Sequence, residues 1–385
     1  MRFLLIASYP QSIYEFRGDL IKELQEKGYE VHVAAPFKDI DEQDSEFKNL
    51  KTLNIHLHSY SLNRRGTGVV QDLKTFIDLF KLIIKVSPQY VLAYTIKPVI
   101  YGMIASYIGK VPNRFAMITG LGIAFTDNSN MSPSSIPSLI IKFLYKISLK
   151  LSSKIIFQNK DDRNLFKSLK IISENNKTAL INGSGVNLNK YKKSPLPENL
   201  SFLFIGRYLV SKGIREFVEA AKIIKSNNPQ IEFCIAGQRE EGEDSITKKE
   251  LSEWVDSNVI INLGYLADIK PAIENASVLI LPSYREGTPR SVLEAMAMGR
   301  PVITSDAPGC RETVIKNFNG FLVPVGSIEE IVKAINFFIN NPDSIKEMGS
   351  HSLKLVKEKY DVKIINKIML SHMEINNKLN FTKKI

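Results

Sequence analysis

Short, almost uniformly apolar runs alternate with amphipathic stretches along the whole chain, and the alternation restarts near residue 200. In the first half, RFLLIA at 2–7, YEVHVA at 29–34, a weaker run at 53–57, YVLAY at 90–94, RFAMI at 114–118, IIFQ at 155–158 and a run at 178–181 read as strands. Helices are expected between them at 17–27, closed by Gly28, at 70–86, stopped before Pro88, at 98–109, at 135–152 and at 161–169. Strands that are apolar on both faces, each followed by a helix, define a parallel sheet covered on both sides. The second half repeats the pattern, with strands at 201–206, 231–236, 259–263, 277–281, 301–304 and 320–323. Helices are expected there at 214–226, 268–275, 291–298, 311–315 and 328–340, followed by two more at 344–357 and 361–374.

A chain of 385 residues exceeds the size at which one hydrophobic core stops growing. The Gly-, Asn- and Pro-bearing stretch 182–199 reads as a linker. The expected organisation is therefore α/β, with Rossmann-like, doubly wound parallel-sheet domains at 1–190 and 200–355. A helical segment at 356–385 is expected to pack back toward the N-terminal domain and to end in a polar, frayed tail. The N-terminal apolar run is too short for a signal peptide and reads as a buried first strand. No run of eighteen apolar residues is present to cross a membrane as a helix. The two cysteines, Cys234 and Cys310, have no metal-ligand spacing and suit a reducing cytoplasm better than a disulfide framework.

The formal charge of +11 is unevenly placed. Residues 1–195 carry 27 Lys and Arg against 16 Asp and Glu, whereas residues 196–385 carry 24 of each. A basic half beside a neutral one points to an anionic partner for the first half. Nucleic acid is disfavoured, because basic residues are not interleaved with aromatic ones and no nucleic-acid module is present. An anionic membrane surface fits better. In PSLIIKFLYKISLKLSSK, Lys142, Lys146, Lys150 and Lys154 recur every four residues and would form a basic stripe beside an apolar one. A solvated lysine edge on an internal helix is the competing explanation.

The second half carries the sharper chemical signals. Gly206-Arg207 follows an apolar strand, and Lys212-Gly213 precedes a helix. Open α/β sheets bind ligands beyond the carboxyl ends of their strands, where helix N–H groups are free. Arg207 can offer bidentate donors and Lys212 a mobile point charge, a pairing suited to a diphosphate. After the strand in ASVLILP comes Ser283-Tyr-Arg-Glu286-Gly287-Thr288-Pro289-Arg290-Ser-Val-Leu-Glu294. Its two carboxylates can accept bonds from sugar hydroxyls, while the start of the following helix can receive an anion. Taken singly, Glu294 could merely stabilise its helix and Glu286 could be a solvated loop charge.

With FIGR and SKG at 204–213 and two glutamates separated by seven residues inside PSYREGTPRSVLEAMAMGRPVITSDAPGCRE, the chain resembles the retaining glycosyltransferases of family 4. That resemblance spans essentially the whole length and implies a GT-B fold, two Rossmann-like domains facing a central cleft. It implies a donor site formed by Arg207, Lys212, Glu286, Gly287, Thr288, Pro289 and Glu294. Arg207 and Lys212 would hold the donor diphosphate, Glu294 the ribose and Glu286 the transferred sugar, so that Glu286, Arg207 and Lys212 act in catalysis. The 305–312 segment would help close the nucleotide pocket. The N-terminal domain would present the acceptor through Ser8–Arg17 and Ile118–Gly122, hence Ser12, Arg17, Thr119, Gly120 and Gly122.

Two departures fall on the acceptor side. Thr119-Gly120-Leu121-Gly122 stands where many family members have a histidine, and the first loop lacks their double glycine. These forms resemble the subset that adds N-acetylhexosamines to polyprenyl-diphosphate-linked sugars. The resemblance then implies a UDP-sugar donor with GlcNAc or GalNAc, no cofactor and no metal for the diphosphate. It also implies surface polysaccharide, capsule or lipopolysaccharide biosynthesis as the setting. The location would be cytoplasmic, peripheral on the cytoplasmic face of the inner membrane. No D-x-D triplet occurs in the donor half; Asp39-Ile-Asp41 lies in an acidic stretch of the first half and reads as a solvated loop. His32, His56 and His58 read as strand or surface histidines. A soluble acceptor, a UDP-sugar epimerase and a noncatalytic nucleotide-sugar-binding scaffold remain as alternatives.

Overall fold

A computed structural model describes residues 1–37, 45–63, 68–120 and 136–375. Asp39–Asp41, Gly122 and the expected frayed end beyond 375 lie outside the described residues. The chain divides into two compact units, Met1–Ser184 with Ile365–Ile385, and Gly185–Ile364.

The first unit runs β1 (Arg2–Ile6), α1 (Gln11–Glu26), β2 (Glu30–Ala35), α2 (Ser45–Lys51), β3 (His56–Ser59), α3 (Val69–Val86), β4 (Tyr90–Tyr94) and α4 (Ile96–Ile108). It continues with β5 (Asn113–Ile118), α5 (Ile136–Lys150), β6 (Lys154–Phe157), α6 (Lys160–Ser168) and β7 (Thr178–Leu180). All seven strands are parallel, in the order β3-β2-β1-β4-β5-β6-β7. The sheet is buried on both faces. Phe3, Leu5, Val31, Val33 and Leu92 pack against α1 and α2 on one side; Leu4, Ile6, Val91, Ala93 and Ala116 pack under α3, α4 and α5 on the other. This two-sided burial is why the strands read as unbroken apolar runs.

The second unit runs β8 (Ser201–Ile205), a single 3-10 turn at Val210–Lys212, α7 (Ile214–Asn227), β9 (Glu232–Ala236), α8 (Lys248–Asp256), β10 (Ile261–Gly264), α9 (Lys270–Glu274) and β11 (Val278–Leu281). Then come α10 (Arg290–Ala297), β12 (Val302–Ser305), a 3-10 turn at Arg311–Thr313, β13 (Gly320–Val323), α11 (Ile328–Asn340), α12 (Asp343–Lys359) and α13 (Val362–His372). Its six parallel strands follow the order β10-β9-β8-β11-β12-β13. In both sheets the order reverses beside the first strand, between β1 and β4 and between β8 and β11. These are the topological switch points at which open α/β sheets bind ligands.

The chain leaves the first unit after Ser184 and returns to it at Ile365, within α13. The two crossings are held side by side: Val186 N–H donates to Tyr360 O at 2.9 Å, and Val362 N–H donates to Val186 O at 3.0 Å. Beyond the return, Met369, Leu370, Met373 and Ile375 are buried in the core of the first unit. The stretch from 356 onward is thus shared between the units, because α12 and the first turn of α13 belong to the second.

Three further details differ from the sequence expectation. Helix α1 begins at Gln11 and not at residue 17, because Pro10 already has helical angles, so Ser12 sits on the helix with Arg17 and not in a loop. Helix α8 was not expected, although Thr247 and Glu250 form a reciprocal capping box at its start. Lys154 does not extend a lysine stripe on α5. It opens β6, and its ammonium donates to His372 O at 2.6 Å.

Candidate functional site

The strongest constellation sits at the β8–β11 switch point of the second unit. Beyond β8, Tyr208 is 1% exposed and its hydroxyl donates to Asn262 Oδ1 at 2.7 Å, which turns the preceding Arg207 outward. Arg207 is half-exposed and meets Glu240 at 3.2 Å. The chain then makes its 3-10 turn, fixed by the Ser211 N–H donating to Asp244 Oδ1 at 3.0 Å. Gly213 follows at φ +74, and a Cβ there would lie 2.2 Å from Pro282 O. Only glycine permits this approach, which sets the Lys212 turn directly against the end of β11.

The segment after β11 is fastened to that turn. Tyr284 N–H donates to Ser211 O at 2.9 Å, and the Tyr284 hydroxyl donates to Glu216 at 2.6 Å. Lys212 Nζ lies 2.5 Å from Glu286 Oε1, with the side chains only 19% and 14% exposed. Glu286 N–H donates to Pro308 O at 2.9 Å, so the 305–312 segment is placed beside it. Gly309 makes that placement possible: at φ +78, a Cβ would stand 2.1 Å from Glu286 O.

After Gly287, Thr288 and Pro289, helix α10 starts at Arg290 with no side-chain cap hydrogen bond, and a helix start of this kind favours an anion. Ser291 ties this helix start to β8 by donating to Ile205 O at 3.1 Å. Glu294 is 7% exposed and pairs with Arg290 at 2.8 Å, one turn back. It lies beyond the first turn of the helix. Two ion pairs, Lys212–Glu286 and Arg290–Glu294, thus sit along the same loop and helix. Sequence reading did not assign Arg290, Glu216 or Tyr284 a part. The i,i+4 spacing of Arg290 and Glu294 was the available signal for the first.

The arrangement supplies cationic donors and helix N–H groups for a diphosphate, and carboxylates for hydroxyl groups. Fixed donors of this kind stabilise negative charge developing on a departing phosphate without reorganising. Cys310 is no nucleophile here. It is buried, its thiol faces Ser283 O at 3.8 Å, and burial raises its pKa. Both cysteines are free.

The acceptor-side residues of the first unit gather at the other switch point. Arg17 is 3% exposed; it donates to Ser184 Oγ at 3.1 Å and to Met117 Sδ at 2.8 Å, and lies over the Tyr94 ring at 5.1 Å. Ser12 Oγ donates to Tyr9 O at 2.7 Å within the first turn of α1. Thr119 and Gly120 follow β5 and are half-buried. Thr95, which the sequence did not single out, follows β4 at φ +69 and donates to Ser8 Oγ at 2.8 Å. A β-branched residue in that conformation is strained.

Two parallel-sheet α/β units, the second with paired cations and carboxylates at its switch point, define a nucleotide-ligand enzyme of the GT-B type. Residues 186–354 match the family model for glycosyl transferases group 1, and residues 4–159 match the glycosyl transferase 4-like model. The chain belongs to these glycosyltransferases. It is 28% identical over 355 residues to a Campylobacter jejuni N,N'-diacetylbacillosaminyl-diphospho-undecaprenol alpha-1,3-N-acetylgalactosaminyltransferase, covering 89% of this chain and 90% of that one. It is 28% identical over 286 residues to the Escherichia coli UDP-Gal:alpha-D-GlcNAc-diphosphoundecaprenol alpha-1,3-galactosyltransferase, covering 70% and 71%. Among solved structures, Anabaena HepE in complex with UDP-glucose superposes with a TM-score of 0.76 at 20% identity, over 97% of this chain and 99% of that one.

Proposed function

We propose that this glycosyltransferase moves an N-acetylhexosamine, GlcNAc or GalNAc, from a UDP-sugar to a polyprenyl-diphosphate-linked saccharide in building a bacterial surface polysaccharide or glycan. The Lys212–Glu286 pair at the switch point carries the reading. The ammonium, in this reading, serves the donor diphosphate and the carboxylate the transferred sugar. In this reading Arg207, Lys212 and the α10 N–H groups take the charge of the leaving diphosphate, Glu294 accepts from the ribose, and Gly287, Thr288 and Pro289 shape the loop around the donor. Arg17, Ser12, Thr119 and Gly120 border the acceptor. The relatives that act on undecaprenyl-diphosphate-linked sugars support the acceptor class. The proposal includes retention of anomeric configuration and independence from a metal at the diphosphate, since cationic side chains replace it.

The test is nucleotide release from a panel of labelled nucleotide sugars, with and without a bacterial polyprenyl-lipid extract. Lipid-dependent transfer from one UDP-sugar, unchanged by omission of Mg²⁺ and Mn²⁺, is the expected result. Transfer only to soluble sugars, or donor isomerisation without an acceptor, overturns it. The anomeric configuration of the product, read by NMR, decides retention.

Work on a lipid-linked acceptor also calls for association with the cytoplasmic face of the membrane. On α5, Leu139, Ile140 and Phe143 are 54%, 52% and 63% exposed, with Lys146 and Lys150 exposed on the same helix. Val69, Val70 and Leu73 on α3 are exposed as well. Apolar side chains edged by lysines suit an anionic bilayer interface. No helix among the described residues is long and apolar enough to cross a membrane. Flotation with anionic vesicles that exceeds flotation with neutral ones, and that falls in Phe143→Ser, is the expected outcome; equal flotation with both refutes it.

A further inference from the structure

At the opposite end of the first sheet from the acceptor-side residues, three side chains converge that transfer chemistry leaves unused. Glu30 and His32 alternate on one face of β2, and His56 lies on the same face of β3, in register with His32. His32 Nε2 and His56 Nε2 stand 3.3 and 3.2 Å from the same oxygen, Glu30 Oε1. Their three ligand atoms all fall within 4.8 Å of one another. We propose that Glu30, His32 and His56 bind a divalent transition-metal ion of the zinc class.

Two of the three ligand separations fit such an ion; the His32 and His56 rings are stacked, with centroids 4.6 Å apart and planes at 21°, so the exposed His56 ring turns to complete the set. With metal–ligand bonds of about 2.0–2.1 Å, two ligand atoms at corners of a tetrahedron stand roughly 3.3 Å apart. Two imidazole nitrogens and one carboxylate oxygen form a ligand set that suits zinc and its neighbours, leaving a fourth position for water. His32 supplies the second observation. It is 7% exposed, and its Nε2 is buried without a hydrogen-bond partner although Glu30 Oε1 lies 3.3 Å away. His32 Nδ1 lies 2.9 Å from His58 Nε2. In the tautomer that donates from Nδ1 to His58, the Nε2 lone pair is left directed at the site. His58 would then fill the acceptor role that a carboxylate, backbone carbonyl or water usually fills behind a ligating histidine.

The position gives the ion a role. Among the described residues β3 pairs only with β2, at the sheet edge. Glu30 and His56 open the two strands, so an ion here would clip the edge strand to its neighbour at the end remote from the ligand-binding loops. Arg2, in register with Glu30 on β1, adds a like charge nearby and moderates affinity.

The test uses the full-length chain without a histidine tag. Zn²⁺ at about a hundredfold excess over its Kd is expected to raise the melting temperature by roughly 5–10 °C. Co²⁺ substitution should give the visible absorption of a low-coordinate ion, at one ion per chain. Glu30→Gln and His56→Ala, both at half-exposed positions, should each abolish the shift and the spectrum while melting like the metal-free parent. Their nucleotide release should remain within twofold of the parent. Absence of a Zn²⁺ shift in the parent, or equal binding in parent and variants, overturns the proposal.

Discussion

Lys212→Ala probes the donor site most directly. Lys212 and Glu286 are 74 positions apart in sequence, yet their charged groups meet at 2.5 Å with little solvent around either. Removing the ammonium takes away a fixed donor at the departing diphosphate. Deleting one such preorganised donor costs about 2.7–4 kcal/mol of transition-state stabilisation, ~100–1,000-fold in kcat. The same change deprives Glu286 of its ammonium partner, at about 1–3 kcal/mol of stability, so melting must be measured beside turnover. Glu286→Gln keeps the shape and removes the charge. If the two residues work as a unit, the double variant loses less than the product of the single losses, with a coupling of about 1–3 kcal/mol. The assay is donor-saturated transfer to lipid-linked acceptor in all four forms at a temperature where each is folded. Turnover of Lys212→Ala within threefold of the parent would refute the assignment. Losses that multiply without coupling would show that the two side chains act separately.

Three other substitutions test the surrounding frame. Gly309→Ala forces a Cβ to within 2.1 Å of Glu286 O, so the loop must shift; kcat/KM is expected to fall at least tenfold with a lowered melting temperature, and an unchanged kcat/KM contradicts it. Glu294→Gln leaves Arg290 without its carboxylate and removes a charged acceptor; the donor KM should rise about tenfold, in line with one hydrogen bond to a charged group. Arg300 is 1% exposed and donates to Ile273 O, Met298 O, Glu274 O, Pro195 O and both Ser194 oxygens. Arg300→Lys cannot reproduce that fork and should cost ~3 kcal/mol or more, read as a drop in melting temperature with turnover preserved in the cold.

The strands were legible because both sheets are covered on two sides, which writes each strand as an apolar run. The donor site was legible for a related reason: Arg207, Lys212 and Glu286 occupy the short loops that leave adjacent strands, and order along the chain places those loops. What could not be read was which charge meets which. Lys212 with Glu286, Arg207 with Glu240 and Tyr284 with Glu216 are pairs across 74, 33 and 68 positions. The first and third exist because the reversal of strand order brings β8 beside β11, the second because β9 lies on the other side of β8. At the N-terminus, Pro10 was read as part of a loop, whereas its fixed φ suits a helix start, and so the helix was expected from residue 17 and Ser12 in irregular chain.

The histidines show the same limit more sharply. Glu30-x-His32 and His56-x-His58 each repeat with period two, which places each pair on one face of its strand. That much is local. Whether the two faces coincide depends on the parallel register that sets His56 opposite His32. A slip of one residue would send both histidines of β3 to the other face of the sheet, leaving Glu30 and His32 alone. The register is held by Leu57 opposite Val33, whose side chains pack on the other face in the apolar core. The apolar alternation that folds the edge of this sheet is therefore also what assembles the proposed ion site. A substitution such as Leu57→Asp, which loosens β3 without touching a ligand, should weaken Zn²⁺ binding along with the stability of the strand.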